Sequence, residues 1–319
     1  MRKTKTRKSV RKEDYEDLIY YKLKNDRFKQ QRLPAWRPVP TLCSIVIFYF
    51  LFALIFIAIG IVLLIYSSKI VTIEIPYNEQ CKDKTKCNIT SNINKDMKAP
   101  IMVYYKLYGF YQNHRRYVRS KSVNQLYGNS ATDKGDCSPV ITNKEMKVNL
   151  EDDKELKEND IAVPCGLIAK TYFNDSYIIW KVNEDPIIVN EKNIAFSKDK
   201  ELYKNVNKTI QWIDMEDEHF IVWMRPAGLP NFRKLWGRIE DYDLKKGDKL
   251  SITIENNYNV THYDGDKSII LSTTNQFGGN NTFLGVSFIV VGVISLLLGI
   301  AFPLLIHQKN KNEIMRKNS

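Results

Sequence analysis

Leu42 to Tyr66 reads LCSIVIFYFLFALIFIAIGIVLLIY and Phe283 to Ile306 reads FLGVSFIVVGVISLLLGIAFPLLI, and neither run holds a charged residue. A helix rising about 1.5 Å per residue needs roughly 20 residues to span a 30 Å hydrocarbon core, and both runs exceed that length. They predict a chain that crosses a bilayer twice, with both ends on one side and residues 67–282 on the other.

Charge assigns the sides. Residues 1–41 carry 13 Lys and Arg against 5 Asp and Glu, residues 307–319 carry 4 against 1, and the stretch between holds 31 against 30. Basic residues beside membrane spans stay cytosolic. The expected organisation is a cytosolic basic tail (1–41), a first span (42–66), a lumenal or extracellular domain (67–282), a second span (283–306) and a cytosolic tail (307–319). The high pI then reflects topogenic charge with affinity for anionic lipid, not nucleic-acid binding. The first apolar run begins some forty residues in and is too long for a signal h-region, so it reads as a signal anchor.

Sequons and cysteines agree with that topology. Asn88, Asn174, Asn207, Asn259 and Asn280 each open an N-x-S/T triplet, and all fall in the central stretch. Cys43 starts the first apolar run, while Cys81, Cys87, Cys137 and Cys165 form an even set between the spans. An oxidising compartment pairs such a set. Three connectivities are open, of which nearest-neighbour pairing, Cys81 with Cys87 and Cys137 with Cys165, closes the loops best able to form early. A zinc site is the rival, but the spacings lack a C-x-x-C knuckle and no histidine lies near.

The central stretch reads mainly as strand. Val71–Tyr77, Phe220–Met224 and Leu250–Glu255 alternate apolar and polar residues, and Ser268–Thr274 is a further candidate. Phe232, Leu235, Trp236 and Ile239 fall at i, i+3, i+4 and i+7 after Pro230 and Asn231, which predicts a helix there. A second helix is expected within Gln112–Ser120. Glu151–Asp160 reads as a solvated charged excursion, and residues 1–14 as disordered. The economical fold is one antiparallel sheet domain with short helical insertions between two membrane helices.

Several segments, in order, carry a resemblance. Phe28-Lys29-Gln30-Gln31-Arg32-Leu33-Pro34-Ala35-Trp36 precedes the first span, and Tyr111-Gln112-Asn113-His114-Arg115-Arg116-Tyr117-Val118 follows it. Then come Pro164-Cys165-Gly166, Phe173-Asn174-Asp175 and the run from Phe220-Ile221-Val222-Trp223-Met224-Arg225 to Leu229-Pro230-Asn231-Phe232-Arg233-Lys234-Leu235. Asn256-Asn257-Tyr258, Leu271-Ser272-Thr273-Thr274 and Phe283-Leu284-Gly285 close the series. From residue 15 to 306 the chain resembles the accessory β-subunit of type IV P-type ATPases, the phospholipid flippases.

The resemblance implies a non-catalytic partner. It would escort the ATPase from the endoplasmic reticulum and stay bound while aminophospholipids move to the cytosolic leaflet. It also implies a disulfide-stapled, β-sandwich-like ectodomain over the ATPase's outer loops, nearest-neighbour disulfides, and a cytosolic N-terminal contact through Arg32 and Trp36. Endoplasmic reticulum, Golgi or endosomal membranes and the plasma membrane are the implied locations. The chain departs from the pattern in lacking an extra cysteine pair near Cys81 and in placing Pro226 and Gly228 where relatives often have Thr and Ala. The second departure leaves the backbone between Met224 and Phe232 open.

The residues themselves recommend no catalysis and no cofactor. P-loop, G-x-S-x-G, H-E-x-x-H and EF-hand patterns are missing, and His114, His219, His262 and His307 are scattered. Asp83-Lys84-Thr85 matches the start of the phosphorylated ATPase motif but continues Lys86-Cys87, a coincidence. Arg115 and Arg116 suit a lipid phosphate, but contacts within the domain or to the ATPase are the simpler assignment. Gly285, Gly292 and Gly299 recur every seven residues with Ser295 on the same face, and Ala53, Gly60 and Ser67 repeat this in the first span. Small residues let helices approach closely in lipid. The second stripe is expected to dock a partner helix, with pairing of the two spans as the alternative. A homotrimeric two-span ligand-gated channel is the rival from another class, and the lack of a polar pore face argues against it.

Overall fold

The computed structural model describes residues 12–33, 41–147, 156–182 and 184–318. It consists of two compact units, 56–290 and 1–55 with 291–319. The second of these holds helix α1 (Lys12–Asn25) and the parts of the two long helices up to residue 55 and from residue 291 onward. Helix α1 takes in the end of the segment expected to be disordered; residues 1–11 and Trp36 lie outside the described residues.

The long helices are α2 (Leu42–Ser68) and, at the chain's end, Thr282–Asn318. Both are long and apolar enough to cross a membrane. The second does not stop at Ile306, because the polar residues from His307 to Asn318 contain neither Gly nor Pro to break it.

The unit 56–290 contains two four-stranded antiparallel sheets. The strands are β1 (Thr72–Pro76), β2 (Lys86–Asn92), β3 (Ile101–Tyr108), β4 (Ser176–Lys181), β5 (Pro186–Ile187), β6 (Phe232–Ile239), β7 (Lys249–Glu255) and β8 (Asp266–Thr273). One sheet runs β1-β8-β3-β6 and the other β2-β7-β4-β5. Alternation builds the core: Ile101, Val103, Tyr105 and Leu107 of β3 are buried, as are Leu250, Ile252 and Ile254 of β7. Tyr105 stacks on Phe173 at 4.0 Å, and Tyr177 of β4 meets Trp236 of β6 edge-on at 5.1 Å. The two inner faces thus close one sandwich core. Short helices decorate it: α3 (Arg115–Arg119), α4 (Val123–Leu126), α5 (Asn143–Met146), α6 (Leu167–Lys170), α7 (Ser197–Leu202) and α8 (Glu218–Met224), with the long terminal helix as α9.

Two expectations are exchanged. Phe220–Met224, expected as a strand, is helix α8, and the pattern from Phe232 to Ile239, expected as a helix, is strand β6. The Asp217 side chain accepts from His219 N at the start of α8, and Phe220, Ile221, Trp223 and Met224 bury one helical face. In β6 a bulge explains the misreading. Val103 pairs with Gly237 and the next residue, Tyr104, with Leu235, leaving Trp236 as the extra residue. Phe232, Lys234 and Trp236 point inward, the phase slips, and Ile239 points inward again. A period of two broken once by a bulge imitates the helical spacing 232, 235, 236, 239.

Strands 71–77, 250–255 and 268–274 appear as β1, β7 and β8, and the helix expected in Gln112–Ser120 is the five-residue α3. Of the Glu151–Asp160 excursion, residues up to 155 lie outside the described residues.

Candidate partner interface

Both disulfides, Cys81–Cys87 and Cys137–Cys165, are formed, and Cys43 is free and exposed. Cys165 leads into Gly166, whose φ is +106° and where an added Cβ would lie 2.1 Å from the Ser120 carbonyl oxygen. Only glycine fits that approach. The Ser120 hydroxyl then accepts from Leu167 N at 2.8 Å, so the second disulfide is seated in a fixed corner.

The two sheets are joined by a buried ionic cluster around Asp175. Its Oδ2 accepts from Lys267 Nζ at 2.6 Å and Tyr77 Oη at 2.7 Å, and its Oδ1 from the Asn257 and Tyr258 amides at 2.7 and 2.6 Å. The Lys267 and Asp175 side chains are 2% and 0% exposed. Burial pushes the Lys267 ammonium below the ordinary lysine range, against the pull of Asp175. Tyr77 follows β1 and Lys267 sits on β8, while Asp175 leads into β4 and Tyr258 follows β7, so the cluster bolts one sheet to the other.

A second buried lysine ties β6 to α8. Lys234 Nζ donates to the carbonyl oxygens of Val222, Trp223 and Arg225 at 3.0, 2.6 and 2.8 Å, which places a cation at the negative end of the helix. Burial pushes this ammonium down to about 7. A lysine depressed in the folded state keeps its proton in the unfolded chain, so stability rises with pH between about 7 and 10.5, by up to about 1.4 kcal/mol per pH unit. Denaturant unfolding of the detergent-solubilised chain from pH 6 to 9 should show that rise. Lys234→Met should flatten it, and an unchanged slope in the variant would assign it elsewhere.

The strand register orients this unit. β1 follows α2 and β8 precedes α9; Ile101 pairs with Thr273 and with Ile239, so these residues mark the end near the spans. Tyr108 pairs with Asp266 at the far end, about 25 Å away for a strand of eight residues. The motif around Arg115 sits at that far end. Asn113 Nδ2 donates to Gly228 O at 2.8 Å, Phe110 N to Pro230 O at 3.0 Å and Gly109 N to Asn231 Oδ1 at 3.0 Å. Asn231 thus braces a loop and caps no helix. An added Cβ at Gly228 meets open space, so the unusual Arg225–Leu229 stretch accommodates side chains and forms the turn between α8 and β6. Arg115 and Arg116 are exposed on α3 beside Tyr111, and Leu229 is also exposed. This patch lies at the end of the domain away from the spans.

Within the spans the small residues face inward. Gly60 and Gly285 oppose each other: a Cβ on Gly60 would lie 2.9 Å from Gly285 O and 2.6 Å from Ile289, and one on Gly285 would lie 2.8 Å from Leu64. Gly299 meets Tyr49 and Phe50. Ala53, Ser67, Gly292 and Ser295 are buried, and the Ser295 hydroxyl donates to Val291 O. At Gly60, Gly285 and Gly299 the stripes therefore pair the two spans with each other. Their outer faces carry exposed Leu51, Leu54, Leu297 and Leu304.

Arg32 is exposed after a turn closed by its own amide on Arg27 O at 2.7 Å. Asn88, Asn174, Asn207, Asn259 and Asn280 are all exposed, and Asn280 Oδ1 accepts from Ser67 Oγ at 2.9 Å beside the spans. His219 contacts Glu191 at 2.8 Å and Trp236. No cluster of three or more metal-ligating side chains occurs among the described residues.

Comparison with known proteins agrees with this architecture. The family model described as LEM3 (ligand-effect modulator 3) family / CDC50 family matches residues 63–312. The chain belongs to the CDC50 family. It is 37% identical over 315 residues to ALA-interacting subunit 3 of Arabidopsis thaliana, covering 88% of this chain and 85% of the relative. It is 36% identical to Cell cycle control protein 50A of Mus musculus, with 90% of each chain covered. Cell cycle control protein 50C of Bos taurus is 30% identical over 89% of this chain and 92% of its own length. With its two apolar helices, this CDC50 chain is a two-pass membrane protein. The Asp175–Lys267 cluster is what sequence reading missed: Asp175 is visible in its motif, but a buried lysine 92 positions away carries no local signal.

Proposed function

We propose that this chain is the non-catalytic accessory subunit of a type IV P-type ATPase. It forms a heterodimer with the ATPase, supports its folding, its exit from the endoplasmic reticulum and its activity, and so serves the movement of aminophospholipids to the cytosolic leaflet. The observation that carries this reading is family membership across residues 63–312, which takes in the end of the first span, the whole ectodomain and the second span. A scaffold of joined sheets, stapled corners and self-paired spans suits a rigid partner of a larger membrane protein.

Both tails are cytosolic in this reading, and the five sequons carry glycans in the lumen. Arg32 and Trp36 contact the ATPase on the cytosolic side, and Arg115 and Arg116 do so from the far end of the ectodomain. Because the stripe at Gly285, Gly292, Ser295 and Gly299 is buried, these residues act on assembly through the pairing of the spans, whose leucine-rich outer faces meet the ATPase. The complex resides in Golgi, endosomal or plasma membrane after leaving the endoplasmic reticulum.

The test is deletion of the chain with imaging of each type IV ATPase in the same cells. At least one ATPase should remain in the endoplasmic reticulum, with loss of fluorescent aminophospholipid uptake where that pump normally works. Normal location and activity of every such ATPase would refute the reading.

A further inference from the structure

A cavity of about 310 Å³ opens at the end of the ectodomain away from the spans. Asn78, in its lining, donates to Asp266 Oδ1 at 2.9 Å, and Asp266 pairs with Tyr108 at that end. One wall is residues 82–85, in the loop that the Cys81–Cys87 disulfide closes, and the other is residues 256–261, which follow β7. Asn256 fastens the walls together. Its Nδ2 donates to the carbonyl oxygens of Cys81 and Lys84 at 2.9 and 3.0 Å, and its amide to Thr85 O at 2.8 Å.

A sequon belongs to this lining. Asn259 Oδ1 accepts from Thr261 N at 2.8 Å and from Thr261 Oγ1 at 2.6 Å, and both residues line the cavity. The carboxamide is thus held by its oxygen, while its nitrogen, the atom to which a glycan is joined, has no hydrogen-bond partner among the described residues. The carrying loop is anchored next door: Val260 is 2% exposed, and its carbonyl oxygen accepts from Gly265 N at 3.1 Å. Asn207 offers a matched case elsewhere. Its Oδ1 accepts from Thr209 N and Oγ1 at 3.0 and 2.9 Å, it is exposed like Asn259, and it does not line this cavity.

We propose that the N-glycan on Asn259 folds back into this cavity, with its first N-acetylglucosamine seated between the stapled loop and residues 256–261; the inference rests on the lumenal placement of the ectodomain proposed above. The lining suits a sugar. Exposed Lys82, Asp83, Lys84 and Asn257 supply donors and acceptors for hydroxyl and acetamide groups, and half-buried Tyr258 supplies an apolar surface for the ring. The volume, at the lower limit of the roughly 300–1,000 Å³ of ligand sites, matches one or two sugar units. Covalent attachment makes the contact intramolecular, so interactions too weak to hold a free sugar are enough. Seated there, the sugar braces the stapled loop against the segment whose Tyr258 amide donates to Asp175 at 2.6 Å.

Site-resolved deglycosylation of the full chain, purified in mild detergent from its own membranes, tests it. Peptide N-glycosidase F cuts between Asn and the first sugar and leaves Asp, which mass spectrometry reads position by position. From the native chain the Asn259 glycan should be released roughly 10-fold more slowly than the Asn207 glycan, the protection that about 1.4 kcal/mol of seating confers. After denaturation the two rates should match. Lys82→Ala with Lys84→Ala strips two exposed side chains from one wall and keeps the carbonyl oxygens that hold Asn256, so it should close most of the native gap. Thr85→Trp, which fills the cavity from the same loop, should abolish the gap, and an unchanged Asn207 rate reports an intact fold in both variants. Equal native release at Asn259 and Asn207, slow release at Asn259 that ignores both variants, or an unmodified Asn259 beside other occupied sequons overturns the seat and leaves the subunit reading standing. If no sequon carries a glycan, the lumenal placement fails and the seat with it.

Discussion

Asp175→Asn lowers the stability of the ectodomain by about 3–5 kcal/mol, the usual loss when one member of a buried pair is removed. The substitution keeps the shape of the side chain and an acceptor for the Asn257 and Tyr258 amides, but leaves the Lys267 ammonium, 2% exposed, without its counter-charge. A domain with 5–15 kcal/mol in total loses a large fraction of its stability. Denaturant unfolding of the full chain in detergent, followed by tryptophan fluorescence, reads this directly. Adding Lys267→Met should recover a substantial part, because the double variant no longer buries a lone charge. A single variant within about 1 kcal/mol of the parent would mean that the cluster does not join the sheets.

Opening the Cys137–Cys165 bridge costs more than opening Cys81–Cys87. The bridges close separations of 28 and 6 residues. The loop-entropy relation gives about 3.6 and 2.2 kcal/mol respectively. The longer bridge also fixes the corner where Gly166 passes against Ser120. Cys137→Ser should leave most of the chain in the endoplasmic reticulum with immature glycans, and Cys81→Ser should leave much of it exported. Equal export of the two variants would remove the ranking.

Much of this structure was legible in the sequence, and the failures share a cause. The spans, the even cysteine set, and strands β1, β7 and β8 follow from run length and strict alternation, which are local signals. The reading of β6 as a helix came from a bulge at Trp236, a decision made by the partner strand β3 that no window on β6 contains. The Asp175–Lys267 pair and the cavity beside Asn259 also depend on residues far apart in sequence. Glycine spacing announced close helix packing correctly but not its partner. The first span carries its own stripe of Ala53, Gly60 and Ser67, and in the fold Gly60 opposes Gly285.

That pairing shapes the account of assembly. In the proposed assembly, the helices paired at Gly60 and Gly285 and an ectodomain joined by Asp175 and two disulfides would meet the ATPase as preformed surfaces. Gly60→Leu should therefore weaken assembly indirectly, by parting the spans.

Native mass spectrometry of the complex purified from its own membranes tests the central claim most directly. The account predicts one copy of this glycosylated chain with one type IV P-type ATPase, and a trimer of this chain alone would contradict it.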